Sequence, residues 1–293
     1  MTGGADPATI ALWVLGGLVA LHVLVVVIGA IAIMWPNPFQ LLRSSRHPEQ
    51  FGLKAQRMRL RDGSAAWFIP HPDARPVVVL CHGRSRDKGW MLPLVERLAV
   101  DAHVLVFDFP AHGDNPWART SLGLREADTV DAALDWCIAS GFDDLIVVGT
   151  SMGGAAAIRA LGQQPRPQVR GLVTDGTFDA LTTVFDNVAG YVAAPRYLVN
   201  LVQMVGGRAA GFDVTEVRPI DQAPGLAMPA VFLHGDRDPL VPTACCERLA
   251  AAAPMGTCHV YPGGHDQPSN PAMQAALLAA IASFERRAAV AVA

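Results

Sequence analysis

Within this 293-residue sequence, the residues best suited to covalent chemistry lie in Gly149-Thr-Ser151-Met-Gly153 and in two later loops. A serine hydroxyl becomes a nucleophile when an imidazole takes its proton and a carboxylate orients that imidazole. His234-Gly-Asp236-Arg-Asp238-Pro-Leu-Val241 offers the acid, and Pro262-Gly-Gly-His265-Asp266 offers the base. Together Ser151, Asp238 and His265 could attack a carbonyl carbon and pass through an acyl intermediate. Alone, Ser151 could equally cap a following helix. Asp236 could stabilise its own turn, which leaves Asp238 as the acid, with Asp175 in reserve. His82, His112 and His234 read as structural histidines whose neighbouring glycines explain them without chemistry.

Positioning these side chains takes a sheet. Leu145 to Val148 is a short apolar run and Ala155 to Leu161 an alanine-rich one, so Ser151 falls on a strand-to-helix turn. Such a turn holds the hydroxyl clear of the backbone, and Gly149 and Gly153 flank it because a side chain there would strike a neighbouring strand or helix. Further apolar strands are expected at Val77–Cys81, Val104–Asp108, Gly171–Asp175, Ala230–His234 and Cys258–Tyr261. Helical spacing is read at Trp90–Val100, Glu126–Ser140, Thr243–Ala253 and Pro271–Ala289. Before them, Met58–Leu60 and Ala66–Ile69 flank Asp62-Gly63, an antiparallel hairpin signal. Apolar strands alternating with helices predict an α/β fold with a mainly parallel sheet covered on both faces. Phe178 to Met228 breaks the alternation and is expected to form a small apolar lid of two or three helices over the carboxyl ends of the strands.

Ile10 to Met34 contains no Asp, Glu, Lys or Arg and as a helix is long enough to cross a hydrocarbon core of about 30 Å. A cleaved signal peptide competes, with Ala30-Ile-Ala32 resembling a cleavage site. The missing basic n-region and the length of the apolar run favour an uncleaved anchor. Trp35 suits an interface, and Pro36 and Pro38 end the helix. His22, inside the span, is expected to face a partner or a backbone carbonyl. Only Asp6 is charged before the helix, whereas Arg43, Arg46, Lys54, Arg57, Arg59 and Arg61 follow it, so the positive-inside bias places the remainder in the cytoplasm. The expected divisions are an anchor over 1–36, a basic juxtamembrane linker over 37–54 and a catalytic domain over 55–293 with the lid at about 178–228.

A net charge of -3 argues against a nucleic-acid partner. The five cysteines make an odd count without a Cys-x-x-Cys pair, so neither a disulfide framework nor a zinc site is suggested. They read as free thiols, most of them buried, and no cofactor or metal is expected.

In chain order, the Gly-x-Ser-x-Gly turn, then Asp238, then His265, each just past a strand, together with His82-Gly83-Arg84 after the Val77 strand, resemble the α/β-hydrolase superfamily from about Val77 to the C-terminus. The anchored, short-lid build looks most like the Bem46-like serine hydrolases, near the monoacylglycerol-lipase and serine-aminopeptidase branches. The resemblance implies that the N–H groups of Arg84 and Met152 form an oxyanion hole. Arginine at position 84 departs from the smaller or apolar residues common there; with Arg86 and Lys88 it could favour anionic substrates, but is expected to point into water. The implied activity is hydrolysis of carboxylic esters or thioesters of lipid-like acyl groups. Cleavage of an amide is the alternative, with Asp186, Asp213 or Glu216 holding a substrate amine. A non-catalytic scaffold that binds a partner through its lid is another.

Overall fold

Strict alternation along each buried strand decides how the layers stack. In the computed structural model, which describes residues 6–36, 44–73, 75–116 and 118–291, Val77, Val79 and Cys81 face one hydrophobic layer. Val78 and Leu80 face the other. Eight strands form one sheet: β1 (Gln56–Arg59), β2 (Ala65–Ile69), β3 (Val77–Cys81), β4 (His103–Phe107), β5 (Leu145–Thr150), β6 (Val169–Asp175), β7 (Ala230–Gly235) and β8 (Gly256–Tyr261). Their order is β1-β2-β4-β3-β5-β6-β7-β8. The β1–β2 hairpin is antiparallel, β2 pairs antiparallel with β4, and all remaining pairs are parallel. Strands buried on both faces carry no polar alternation, which is why they read as continuous apolar runs.

The helices are α1 (Pro7–Met34), α2 (Leu92–Leu98), α3 (Glu126–Ala139), α4 (Met152–Gln163), α5 (Leu181–Tyr191), α6 (Arg196–Ala210), α7 (Pro219–Gln222), α8 (Ala244–Ala252) and α9 (Pro271–Ala291). Helices α3, α4 and α8 cover one face of the sheet, and α2 and α9 the other. Helix α2 is shorter than its apolar pattern suggested, because the residues before Leu92 are spent in turns. Of the Phe178–Met228 insertion, α5 and α6 stand out as a helical hairpin. Helix α7 instead packs on α4, where a Cβ at Gly162 would lie 2.3 Å from the Gln222 carbonyl oxygen.

Helix α1 is apolar throughout and long enough to cross a membrane. It does not stand apart from the rest. His22 donates from Nδ1 to the Leu18 carbonyl (2.7 Å) and accepts at Nε2 from the Tyr197 hydroxyl of α6 (2.6 Å). A Cβ at Gly29 would fall 2.5 Å from Val202, and one at Gly206 would fall 2.7 Å from Ile33. Missing side chains at these crossings let α1 and α6 lie close together. Pro38 and Arg43, read as a helix stop and a topology signal, lie outside the described residues.

One expectation is overturned. Cys246 and Cys258 are joined by a disulfide, which ties α8 to β8, while Cys81, Cys137 and Cys245 are free and buried. The pair escaped the count of spacings because the two residues meet only when α8 folds back along the edge strand.

Behind the β3 loop, Lys88 ion-pairs with Asp108 at the end of β4 and reaches Asp114 at 2.6 Å. The Lys88 and Asp108 side chains are 4% and 0% exposed. Asp108 also accepts from the backbone N–H groups of Lys88 and Asp114. Replacing it takes from the buried Lys88 ammonium one of its two carboxylates and leaves two backbone N–H donors without their acceptor, so Asp108→Ala should cost about 3 to 5 kcal/mol of stability, measurable by chemical denaturation.

Candidate active site

Ser151 sits between β5 and α4 at φ 49° and ψ -115°. This is a conformation that non-glycine residues rarely adopt. Its neighbours make it possible: a Cβ at Gly149 would lie 2.6 Å from the Gly154 Cα, and one at Gly153 would lie 2.3 Å from the Cys81 carbonyl oxygen. Glycines allow α4 to start hard against β5 and β3, leaving the serine oxygen projecting from the turn.

The loops after β7 and β8 supply the partners. His265 Nε2 lies 3.0 Å from Ser151 Oγ, and its Nδ1 lies 2.6 Å from Asp238 Oδ2. With Nδ1–H donating to the carboxylate, Nε2 is left to accept from the serine hydroxyl. Asp238 Oδ1 accepts from the N–H groups of Leu240 (2.8 Å) and Val241 (2.9 Å), which pins the carboxylate.

Electrostatics follow from these contacts. Burial alone would lower the His265 pKa; the hydrogen bond and charge of Asp238, with Asp266 and Asp175 behind it, hold it above the ordinary histidine value. Burial would raise Asp238, yet His265 and the two backbone donors keep it below the usual carboxylate range. Asp175 makes no direct bond to His265. Burial pushes its pKa up to about 7 against the opposing Tyr261 hydroxyl, which donates to Oδ1 at 2.7 Å. Asp236 accepts from the Gly263 N–H (3.0 Å) and so steadies its own turn.

The N–H groups of Arg84 and Met152 have no acceptor among the described residues. Both residues line one cavity with Ser151, and a Cβ at Gly83 would come within 3.5 Å of the Ser151 Cβ. The loop carrying Arg84 is held from beneath by two neutral histidines. His82 accepts from the Phe109 N–H (3.0 Å) and His112 from the Ser85 N–H (3.2 Å). Burial lowers their pKa values to about 4 and about 3.

The Arg84 side chain corrects the expectation that it points into water. Its guanidinium donates to the Ala32 carbonyl and, at 3.3 Å, to that of Trp35, at the C-terminal end of α1. Carbonyls at a helix C-terminus attract cations, and burial lowers the arginine pKa to about 10. Lys88 is occupied by its ion pairs, and Arg86 bonds Asp266 at 3.0 Å while lying over the Trp90 ring at 3.9 Å.

Two contributors were not singled out from sequence. Asp266 follows His265 directly, and its bond to Arg86 ties the His265 loop to the Arg84 loop; that adjacency was the available signal. The other is α1, for which the sequence offered no signal. The cavity of about 520 Å³ above Ser151 is walled by α5, α6 and α1, with Val25, Gly29 and Ala32 contributing from the last. Asp186, Asp213 and Glu216 are not among the residues that line it.

A mainly parallel sheet with a serine on a strained strand-to-helix turn, and an acid and a histidine past its last two strands, is the layout of the α/β-hydrolase fold. This chain has the α/β-hydrolase fold, and the family profile described as alpha/beta hydrolase fold matches residues 76–216. It is 29% identical over 233 residues to a pimeloyl-[acyl-carrier protein] methyl ester esterase of Xanthomonas campestris, covering 66% of this chain and 88% of that one. An esterase from Pyrococcus furiosus superposes with a TM-score of 0.66 at 20% identity, covering 83% of this chain and 94% of that one. A membrane phospholipase A superposes at 0.60 with 19% identity, covering 92% and 98%.

The charges around His265 make a direct prediction. Its imidazole should titrate above about 6.5 in an NMR pH titration, and Asp238→Asn, by removing the facing charge, should bring that midpoint down.

Proposed function

We propose that this protein is a membrane-anchored serine hydrolase that cleaves carboxylic esters or thioesters of lipid-like acyl groups. The observation that carries the reading is the line of two hydrogen bonds from Asp238 through His265 to Ser151, opening onto an apolar cavity. Ser151 Oγ attacks the ester carbonyl as its proton passes to His265 Nε2, and Asp238 stabilises the imidazolium that forms. The N–H groups of Arg84 and Met152 receive the oxyanion, each worth about 3 to 4 kcal/mol to the transition state. His265 then protonates the departing alcohol or thiol. Water, deprotonated by the same imidazole, attacks the acyl-enzyme and regenerates Ser151.

The cavity lining favours an acyl ester over an aminoacyl substrate, because none of the candidate carboxylates of the lid borders it. The esterase relatives point the same way. Neutral His265 is the base, so its raised pKa means that activity is lost as pH falls through a midpoint above about 6.5. Wild-type protein should react with a fluorophosphonate probe and hydrolyse p-nitrophenyl esters faster than aminoacyl amides. Ser151→Ala should abolish labelling and cut hydrolysis about a thousandfold or more. An unlabelled wild type would overturn the assignment.

The anchor is α1, and the basic residues after it direct the catalytic domain to the cytoplasm. The Cys246–Cys258 bond favours an oxidising compartment instead. A reporter fused after Ala293 that is active only in an oxidising compartment separates the two: the flanking charges predict a silent reporter.

A further inference from the structure

The free part of α1 is too short to cross a bilayer by itself. Residues 7–21 are all exposed and precede His22, which bonds Tyr197 of α6, and at about 1.5 Å per residue they supply about 22 Å, against a hydrocarbon core of about 30 Å. To complete the crossing, the membrane must also take in part of the stretch where α6 lies against α1. The two helices run side by side from His22 beside Tyr197, through Gly29 beside Val202, to Ile33 beside Gly206. The first half of α6 and the turn that joins it to α5 are therefore carried into the same apolar layer.

The surface of that hairpin agrees. Tyr191, Val192 and Tyr197 are 70%, 69% and 58% exposed, and Val188 and Leu201 are exposed beside them. From Asn187 to Gly207 the only charged residue is Arg196, which pairs with Asp186 at 3.8 Å and has a stem long enough to reach the interface. An exposed apolar surface of this kind, continuous with a membrane helix, fits a lipid layer rather than water. The cavity reaches the same place: it begins at Ser151 and Met152 and ends among Val25, Val188, Val192 and Leu198.

We propose that the α5–α6 hairpin is immersed in the bilayer beside α1, and that the substrate's acyl chain passes sideways from the hydrocarbon layer into the cavity between them. The anchor is then one wall of the acyl-binding site, and the substrate class is a long-chain acyl ester resident in the membrane. This inference rests on the hydrolase reading given above and adds the route and the contribution of α1.

The test uses the full-length protein in phosphatidylcholine vesicles. With p-nitrophenyl acetate and p-nitrophenyl hexadecanoate as probes, Val25→Trp on α1 and Val188→Trp on α5 fill the outer end of the cavity. Each should lower the hexadecanoate-to-acetate ratio of kcat/KM at least tenfold. A nitroxide on Val192→Cys should relax more with oxygen than with a water-soluble nickel chelate, the reverse of one on Val100→Cys at an exposed position of the sheet domain; the native free cysteines are buried and escape labelling. Unchanged ratios in both tryptophan variants overturn the wall, and a nickel-accessible label at position 192 overturns the immersion. A wild type that hydrolyses neither ester overturns the hydrolase reading instead, and the nitroxide result still decides where the hairpin lies.

Discussion

The backbone at Ser151 is the constraint on which the remaining geometry depends. A serine held at positive φ stores about 1 to 3 kcal/mol of conformational strain, and here the surroundings leave no alternative. Gly149 and Gly153 bring β5, α4 and the end of β3 within distances that exclude any Cβ, and the Ser151 N–H is fixed by the Asp175 carbonyl at 2.8 Å. Relaxing the turn would separate α4 from the sheet and break a large apolar layer. The strain is thus borne by the whole fold, and the hydroxyl points to a fixed place relative to the next two strand ends.

Much of this was legible in the sequence because it is written in local chemistry. Continuous apolar runs mark strands buried on both faces, and small residues around a serine mark a close crossing. Asp238 and His265 could be read because parallel strands deliver their following loops to a common edge. What could not be read depends on surfaces meeting across long separations. Cys246 and Cys258 are brought together by the return of α8 along β8. Arg84 finds its acceptors some fifty residues earlier, on a helix that reads as an independent anchor. Likewise, the apolar stripe Val25, Ile28, Gly29 and Ala32 is indistinguishable in composition from the exposed remainder of α1; only the position of α6 shows that it borders a cavity.

Several acidic groups surround one imidazole, and their different environments divide their effects. Asp238, supplied with backbone donors, remains ionised and faces His265 directly. Asp175, buried with one oxygen bonded to Tyr261 and the other unpartnered, has its pKa pushed up to about 7, so it carries less of the negative charge behind the ring than Asp238 does. Asp266 is neutralised by Arg86 at the loop's outer edge. The arrangement keeps the ring basic without accumulating uncompensated charge in a poorly solvated place.

Arg84 joins two mechanical parts of the molecule. Its guanidinium donates to the final carbonyls of α1, while the residue itself lines the cavity above Ser151. Helix tilt in a bilayer responds to hydrocarbon thickness at a cost of fractions of a kcal/mol per Å, so with α1 inserted as proposed, membranes of different thickness would pull on this contact to different degrees. On that proposal, lipid composition would be a mechanical input to the loop beside the serine, transmitted through a single side chain.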